Sequence, residues 1–397
     1  MTKHIHTRLM CLMKGLVYMI IYLVKQGDNI DNIATRYRVS TDRIIYVNQL
    51  QYPYKLVVGQ ALLITFEEVY DGRKISANGF AYPFISPWVL RQTLPYLEEL
   101  SIFSYGFTTA GDLVLPQLPT EWMIREAYYY GAKPVLTLTP FSAEGNFNNY
   151  LIHAVLSDEN AKNALIRNVR NAVENDGYQG VNIDFEFILA EDRDAFSAFV
   201  REMTYSINEI GYEVTVDLAP KTSADQPGIV YAGKDYRALG EAADRALVMT
   251  YEWGYTYGPA MAVAPIDKVR QVLDYAVTEI PNEKISMGVP NYGYDWTLPY
   301  VRGESKAITI GNIEALQIAI RNDSEIMFDE TSQTPYFSYV TQGTTHEVWF
   351  EDARSILAKY KQLREYGLHG FGCWQVMQLF RNMWILAQAD LDDVVIE

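Results

Sequence analysis

The sequence predicts an α/β fold: a (β/α)8 TIM barrel with a small α+β insertion before its last strand, preceded by an N-terminal βααβ module. Three observations predict it. From Gly79 onward, short apolar runs alternate eight times with longer, amphipathic helical patterns. Ahead of them, residues 21–64 read strand, helix, helix, strand, and a polar stretch separates the two patterns. The chain's 397 residues, 49% of them hydrophobic, suffice for one small core and one large one.

The stretch MTKHIHTRLMCLMKGLVYMIIYLV at the start pairs basic side chains with an apolar run, which imitates a secretory signal. No small-residue cleavage site follows, the run is too short to span a bilayer, and it continues into the first strand. Residues 1–18 are therefore expected to be a disordered extension ahead of a natural start at Met19. In the module (19–65), residues 22–24 form a strand and Gly27-Asp28 a turn. Ile30, Ile33, Ala34 and Tyr37 make a helical stripe, which Val39-Ser40 breaks. Ser40 or Thr41 caps a second helix that ends near Asn48, and Gly59 leads into a last strand at 61–64. Residues 66–78 read as a linker.

The barrel (79–390) takes its strands from GFAY, LSIFSYGF, KPVLTLT, GVNIDFE, EVTVDLA, RALVMTY, ISMGVP and GFGCW. Helices such as 161–175 and 192–210 lie between them. Residues 327–352 break the rhythm with strand-like alternation around a glycine turn and are expected to form the small insertion.

A formal charge of −16 argues against a nucleic-acid partner and against anionic lipid. The two cysteines, Cys11 and Cys373, make neither a disulfide framework nor a metal cluster. The five histidines show no metal spacing, so no metal and no cofactor is expected. Thirty Tyr and 7 Trp suit a sugar-stacking surface, and suit ordinary core filling equally well.

In GVNIDFE, Asn182, Asp184 and Glu186 share one face, and Val181, Ile183 and Phe185 share the other. A half-solvated strand carries such a pattern with no function attached. A barrel strand has no solvated face, so the polar set must point inward, where each unpaired group costs about 1–3 kcal/mol. Glu186 lies at the C-terminal end of the strand, where barrel enzymes build their sites. Asp184 sits two residues below, about 6.5 Å along the strand. A carboxyl pair this close pushes one pKa upward and leaves Glu186 able to stay protonated as an acid.

Two resemblances carry the reading further. The GD turn, the IA..Y.VS stripe, the Asn that closes the second helix and L.VGQ.L.I resemble the LysM family, which binds N-acetylglucosamine-containing glycans. That resemblance implies a groove between residues 27–30 and 50–55, with Gly27, Asp28, Asn29, Ile30, Tyr52 and Pro53 at the glycan. The acidic strand resembles the D-x-x-D-x-D-x-E signature of the family 18 glycoside hydrolases, over roughly 79–390, with Asn182 in place of the middle Asp. MTYEWG supplies Met249 and Tyr251, with Glu252 where the family has Asp. MGVPNYGYDW supplies Tyr292 and Trp296, and GFGCW supplies Trp374. The motifs DFE......EDRDAF, PKTS..Q.G and HEVWFED.RS resemble one branch, the LysM-bearing spore cortex-lytic N-acetylglucosaminidases.

The resemblance implies substrate-assisted, retaining hydrolysis. Glu186 is then the acid and base, Asp184 holds the substrate acetamide, Tyr251 donates to its oxygen and Asn182 orients Asp184. Trp374 floors the sugar subsite, Tyr292 and Trp296 wall it, and Glu252, Tyr105 and Asp217 line it. Each has a plainer alternative: Tyr251 and Trp374 as barrel filling, Tyr292 and Trp296 as surface aromatics, Asp217 in a buried ion pair, Tyr105 likewise. His346, His369 and Cys373 are expected to be structural. The expected enzyme cleaves N-acetylglucosamine linkages in peptidoglycan, spore cortex above all, as a monomer without membrane insertion. It would sit in the spore coat, cortex or cell wall. A chitinase is the alternative, disfavoured by the short insertion, and a non-catalytic glycan-binding wall protein is the alternative of another class.

Overall fold

The computed structural model describes residues 19–66, 75–142 and 146–397. The expected disordered extension and most of the expected linker lie outside those residues. In the module, β1 (Met19–Leu23), α1 (Ile30–Tyr37), α2 (Thr41–Asn48) and β2 (Ala61–Thr65) follow the order read from the sequence. The caps explain the helix starts. Asn29 accepts from the Asn32 amide (2.9 Å), and Ser40 accepts from the Arg43 amide (3.2 Å). Ile30, Ile33, Ala34 and Tyr37 bury one helix face against Ile20, Tyr22, Leu62 and Ile64.

Eight parallel strands close the barrel: β3 (Ser76–Ala81), β4 (Glu99–Phe107), β6 (Lys133–Leu138), β7 (Gly180–Ile183), β8 (Glu213–Leu218), β9 (Arg245–Val248), β10 (Ile285–Pro290) and β16 (Gly370–Trp374). The pairing of β3 with both β16 and β4 closes the ring. A two-residue strand, β5 (Leu113–Val114), adds antiparallel to β4. The first barrel strand starts at Ser76, three residues before the expected boundary at Gly79.

Helices α3 (Pro87–Thr93), α4 (Glu121–Tyr130), α5 (Tyr150–Ser157), α6 (Glu159–Asp176), α7 (Arg193–Asn208), α8 (Tyr236–Ala242) and α9 (Ile266–Glu279) pack outside the strands, as do α11 (Ala353–Glu365) and α12 (Arg381–Ala387), whereas α10 (Asn312–Arg321) belongs to the insertion. In α6, Leu165, Val169 and Val173 repeat every fourth residue and are fully buried. Gly177, at φ +83°, ends that helix in the left-handed conformation and turns the chain into β7.

Two features depart from expectation. The insertion is larger than residues 327–352. It forms a five-stranded antiparallel sheet in the order β12 (Ile308–Ile310), β11 (Gly293–Leu298), β15 (Thr344–Trp349), β14 (Thr334–Thr341), β13 (Met327–Asp329), with α10 against it. It begins two residues after β10, so GYDW belongs to the insertion rather than to barrel strand seven. In addition, β17 (Val394–Ile396) pairs in parallel with β1 and makes the module's sheet three-stranded. Further bonds fasten the module to the barrel. The Gln49 amide donates to the Leu379 carbonyl (3.0 Å), Asn382 donates to the Val47 carbonyl (3.1 Å), and the Arg381 guanidinium lies 4.0 Å from the Tyr46 ring centre. Gly59 meets the insertion so closely that a Cβ there would stand 1.9 Å from the Ile326 oxygen.

Among the described residues, no helix is long and apolar enough to cross a membrane, and no group of three His, Cys, Asp or Glu is placed to hold a metal. His346 bonds Asp295 (2.9 Å) inside the insertion, and His369 sits between Ser76 and Arg245 at the base of the barrel. Cys373 is buried toward Met383 of α12 (Sγ–Sδ 3.7 Å).

Candidate active site

The two faces of β7 divide as the alternation requires. Val181 and Ile183 are buried, and Phe185 stacks on Phe196 and Phe199 of α7, each centroid 5.8 Å away. Asn182 and Asp184 therefore point into the barrel. The ladder to β6 ends as the Asp184 amide donates to the Leu138 carbonyl (3.0 Å). Glu186 stands beyond it, half-buried at the mouth.

Three carboxyls cluster at this end of the barrel, Asp184, Glu186 and, from the neighbouring strand, Asp217, and a fourth, Glu252, lines the same cavity. Asp184 and Asp217 are buried. Burial raises Asp184 well above the usual carboxylate range, and the charges of Asp217 and Glu186 raise it further. Burial also raises Glu186, against the pull of Lys234. Asp217 is pushed up to about 7 by burial, although a bond from Asn182 opposes the shift. That bond corrects one expectation: the Asn182 amide donates to Asp217 Oδ1 (2.7 Å) and orients that residue, not Asp184. Asp184 Oδ1 has no hydrogen-bond partner among the described residues, so one acceptor is left to meet a donor from a ligand.

A cavity of about 360 Å³ opens above these acids, lined by Phe80, Met249, Tyr251, Glu252, Tyr292, Tyr294, Thr309, Trp374 and Gln375. Tyr251 faces Asp217, Asp184, Glu186 and Glu252, and its phenol is raised well above its usual range by burial and then by their charges, so it stays a donor. Gly288 makes room for that ring, because a Cβ there would lie 2.7 Å from Tyr251 Cε1. Glu252 adopts φ +70°, a left-handed conformation that costs a non-glycine residue about 1–3 kcal/mol. The Tyr292 and Tyr294 hydroxyls both donate to its carboxylate, Tyr294 at 3.0 Å, and fix it at the cavity wall.

A second cavity of about 560 Å³ continues from the first across Glu186 and Trp374. Tyr82, Phe84, Phe103, Leu115, Leu118 and Phe147 line it, and Glu186 is the one charged group among the described lining residues. Trp374 is packed edge-on by Phe103 (5.2 Å) and Tyr82 (6.1 Å) and contributes to both cavities.

Of the expected site residues, the structure brings Asp184, Glu186, Asp217, Tyr251, Glu252, Tyr292 and Trp374 into one cleft, with Asn182 beneath. Two fall elsewhere. Tyr105 points to the helix side, where its hydroxyl donates to Asp176 (3.1 Å) and its ring meets Tyr178. Trp296 is 1% exposed within the insertion, and its indole N–H donates to the Gly258 carbonyl (2.9 Å). Both were misplaced because each strand or turn offered two faces and the aromatic took the apolar one. Phe80, Tyr82, Tyr294 and Lys234 were not expected at the site, whereas Met249, which the MTYEWG motif supplied, lines the cavity beside Tyr251. Tyr82 had a signal, since it follows the first barrel strand at the mouth. Lys234 had none.

In the module, Leu23 pairs with Ala61, so the 27–30 and 50–55 loops leave the same end of the sheet. Several of the expected glycan contacts are already committed. Asp28 accepts from the Tyr22 hydroxyl (2.6 Å) and the Lys25 amide (2.8 Å), Asn29 caps α1, and Ile30 is buried in the module core. Tyr52 is 85% exposed, Pro53 is exposed beside it, and the Tyr52 and Tyr54 rings meet edge-on at 5.8 Å.

The glycosyl hydrolases family 18 model matches residues 143–378, and the LysM domain model matches residues 22–65. The chain is 35% identical to the cortical fragment-lytic enzyme of Bacillus subtilis, over 93% of this chain and 97% of that protein. Among solved structures, it is similar to the spore cortex-lytic enzyme SleL of Bacillus megaterium (TM-score 0.88, 31% identity, 96% of this chain and 99% of that one). Likeness to a chitinase from Chromobacterium violaceum (TM-score 0.74, 23% identity, 79% of this chain and 98% of that one) extends to the fold. A carboxyl-ended strand at the mouth of a closed barrel, a cleft floored by Trp374 and a LysM module thus meet in a chain that belongs to the family 18 glycosyl hydrolases, a glycosidase that binds carbohydrate.

Proposed function

We propose that this enzyme hydrolyses N-acetylglucosamine linkages of bacterial peptidoglycan, spore cortex in particular, by substrate-assisted retaining hydrolysis. The observation that carries the reading is the stack of Glu186 over buried Asp184, with Tyr251 facing both across the cleft. Glu186, raised by burial, protonates the glycosidic oxygen. The substrate's own acetamide carbonyl attacks the anomeric carbon in place of an enzyme nucleophile. Asp184 Oδ1, which has no partner among the described residues, accepts the acetamide N–H, and the oxazolinium charge offsets the cost of ionising that buried acid. Tyr251 donates to the acetamide oxygen and keeps it in line. Glu186 then takes a proton from water, whose oxygen attacks the anomeric carbon from the face the leaving group left, breaking its bond to the acetamide oxygen and giving retention.

Full-length likeness to cortical fragment-lytic and spore cortex-lytic enzymes supports the cortex as substrate and the spore wall as the place of action. The LysM module supports capture of the same polymer. A chitin oligomer is the second reading. The insertion, which spans Gly293 to Trp349, is not short, so the expected argument against a deeper, chitinase-like groove falls. Release of reducing ends from cortex fragments, vegetative peptidoglycan and chitin oligomers, measured side by side, tests the proposal. Faster turnover on cortex fragments is expected, and a preference for chitin oligomers would replace it.

A further inference from the structure

Lys234 is 1% exposed, and its charge acts on the acids of the cleft. Its bonds run to carbonyls rather than to carboxylates: Nζ donates to the Phe185 carbonyl (2.5 Å) and to the Asp217 carbonyl (2.8 Å). The ladder between β7 and β8 has its last pair at Ile183 and Val216. Beyond it, the two acid-bearing strand ends have no rung of their own, and the ammonium takes that place. The same ammonium lies 5.4 Å from the Phe196 ring centre.

The loop that delivers Lys234 is itself fixed. Lys221 Nζ donates to the Lys234 carbonyl (2.9 Å) and to the Ala224 carbonyl (2.9 Å). Asp235 caps α8 by accepting from the Ala238 amide (3.0 Å), and it pairs with Arg193. Gly233 lets the loop close onto the segment after β7, because a Cβ there would stand 2.4 Å from the Ile188 oxygen.

We infer that Lys234 is a positioning residue for hydrolysis: bridging the Phe185 and Asp217 carbonyls, its ammonium clamps the ends of β7 and β8 and supplies the fixed positive charge that lets three neighbouring carboxyls share one cleft. This rests on the reading of Glu186 as the acid and Asp184 as the acetamide acceptor. The groups that face the ammonium are Asp184 and Glu186 from the end of β7 and Asp217 from β8. Tyr251 and Glu252, after β9, face the same carboxyls from across the cleft, and Lys221 lies on the outer side of the loop. Burial lowers Lys234 to about 8, against the pull of the three acids, so it remains largely charged at neutral pH. Asn182 contributes no charge of its own, which leaves Lys234 balanced against three acids.

The test compares kcat/KM against pH for wild type, K234M and K234Q on soluble cortex fragments, with thermal unfolding as the fold check. K234M loses bridge and charge, whereas K234Q keeps an amide donor for one carbonyl and loses the charge. Without the cation, the acids hold their protons to higher pH, so both limbs of the profile are expected to rise by about one pH unit in either variant. The kcat loss is expected to be larger for K234M, about tenfold or more, than for K234Q. A folded variant of either kind whose profile superimposes on wild type overturns the inference and leaves Lys234 structural. Glu186→Gln, run in parallel, separates the two readings. Turnover in that variant removes the acid assignment, whereas its inactivity beside an unmoved K234M or K234Q profile removes the role of Lys234 alone.

Discussion

The two halves of the cleft meet at Glu186 and Trp374 and share little else. One half is polar and tightly specified. Asp184, Tyr251 and the Glu252–Tyr292–Tyr294 cluster hold fixed donors and acceptors there, and Glu252 sits in a strained backbone conformation. The other half is apolar, and Phe84 (67% exposed) and Leu115 (66%) stand in it as surfaces rather than as hydrogen-bonding groups. The contrast assigns their tasks. The polar half can fix the orientation of a sugar amide to within a hydrogen bond, which chemistry needs. The apolar half offers area rather than directed bonds.

The strongest way to break that contrast is at the junction. Glu186→Gln is expected to lower kcat about 10³-fold while glycan binding, measured by calorimetry, persists. Asp184→Asn, inside the polar half, is expected to lose about 10²-fold in kcat, with the loss confined to substrates that carry the acetamide. Asp217 gives the polar half a pH signature. Its folded pKa of about 7 lies above the unfolded value near 3.8, so its contribution to stability is complete below about pH 4 and fades as pH rises through 7. Asp217→Asn removes that fade, and urea unfolding at pH 8 should find the variant more stable by about 2 kcal/mol. Trp374→Ala removes the floor common to both halves and should cost about tenfold in kcat/KM. Phe84→Ala, in the apolar half, should raise KM about threefold and leave kcat in place.

The barrel was legible because parallel strands are buried on both faces and read as short, largely apolar runs, as in RALVMTY and ISMGVP. Asp184 and Glu186 were legible for the opposite reason: they interrupt such a run with a period of two. The insertion hid behind β10, because GYDWTL follows after only Asn291 and Tyr292 and continues the strand-like pattern. β17 hid because its partner lies at the other end of the chain, and no local period reports a distant pairing. Lys234 hid in a loop, where nothing periodic marks a buried cation, and its role exists only through two carbonyls on strands it does not belong to.

The strand Val394–Ile396 has a mechanical consequence. Met19, Ile20 and Ile21 are zipped along it on one side and along Leu63, Ile64 and Thr65 on the other. A pull on the LysM module is therefore resisted by two ladders at once, with many bonds acting together. An anchor braced in this way keeps the scissile mouth at a set offset from the point of grip, like a blade bolted to its guide.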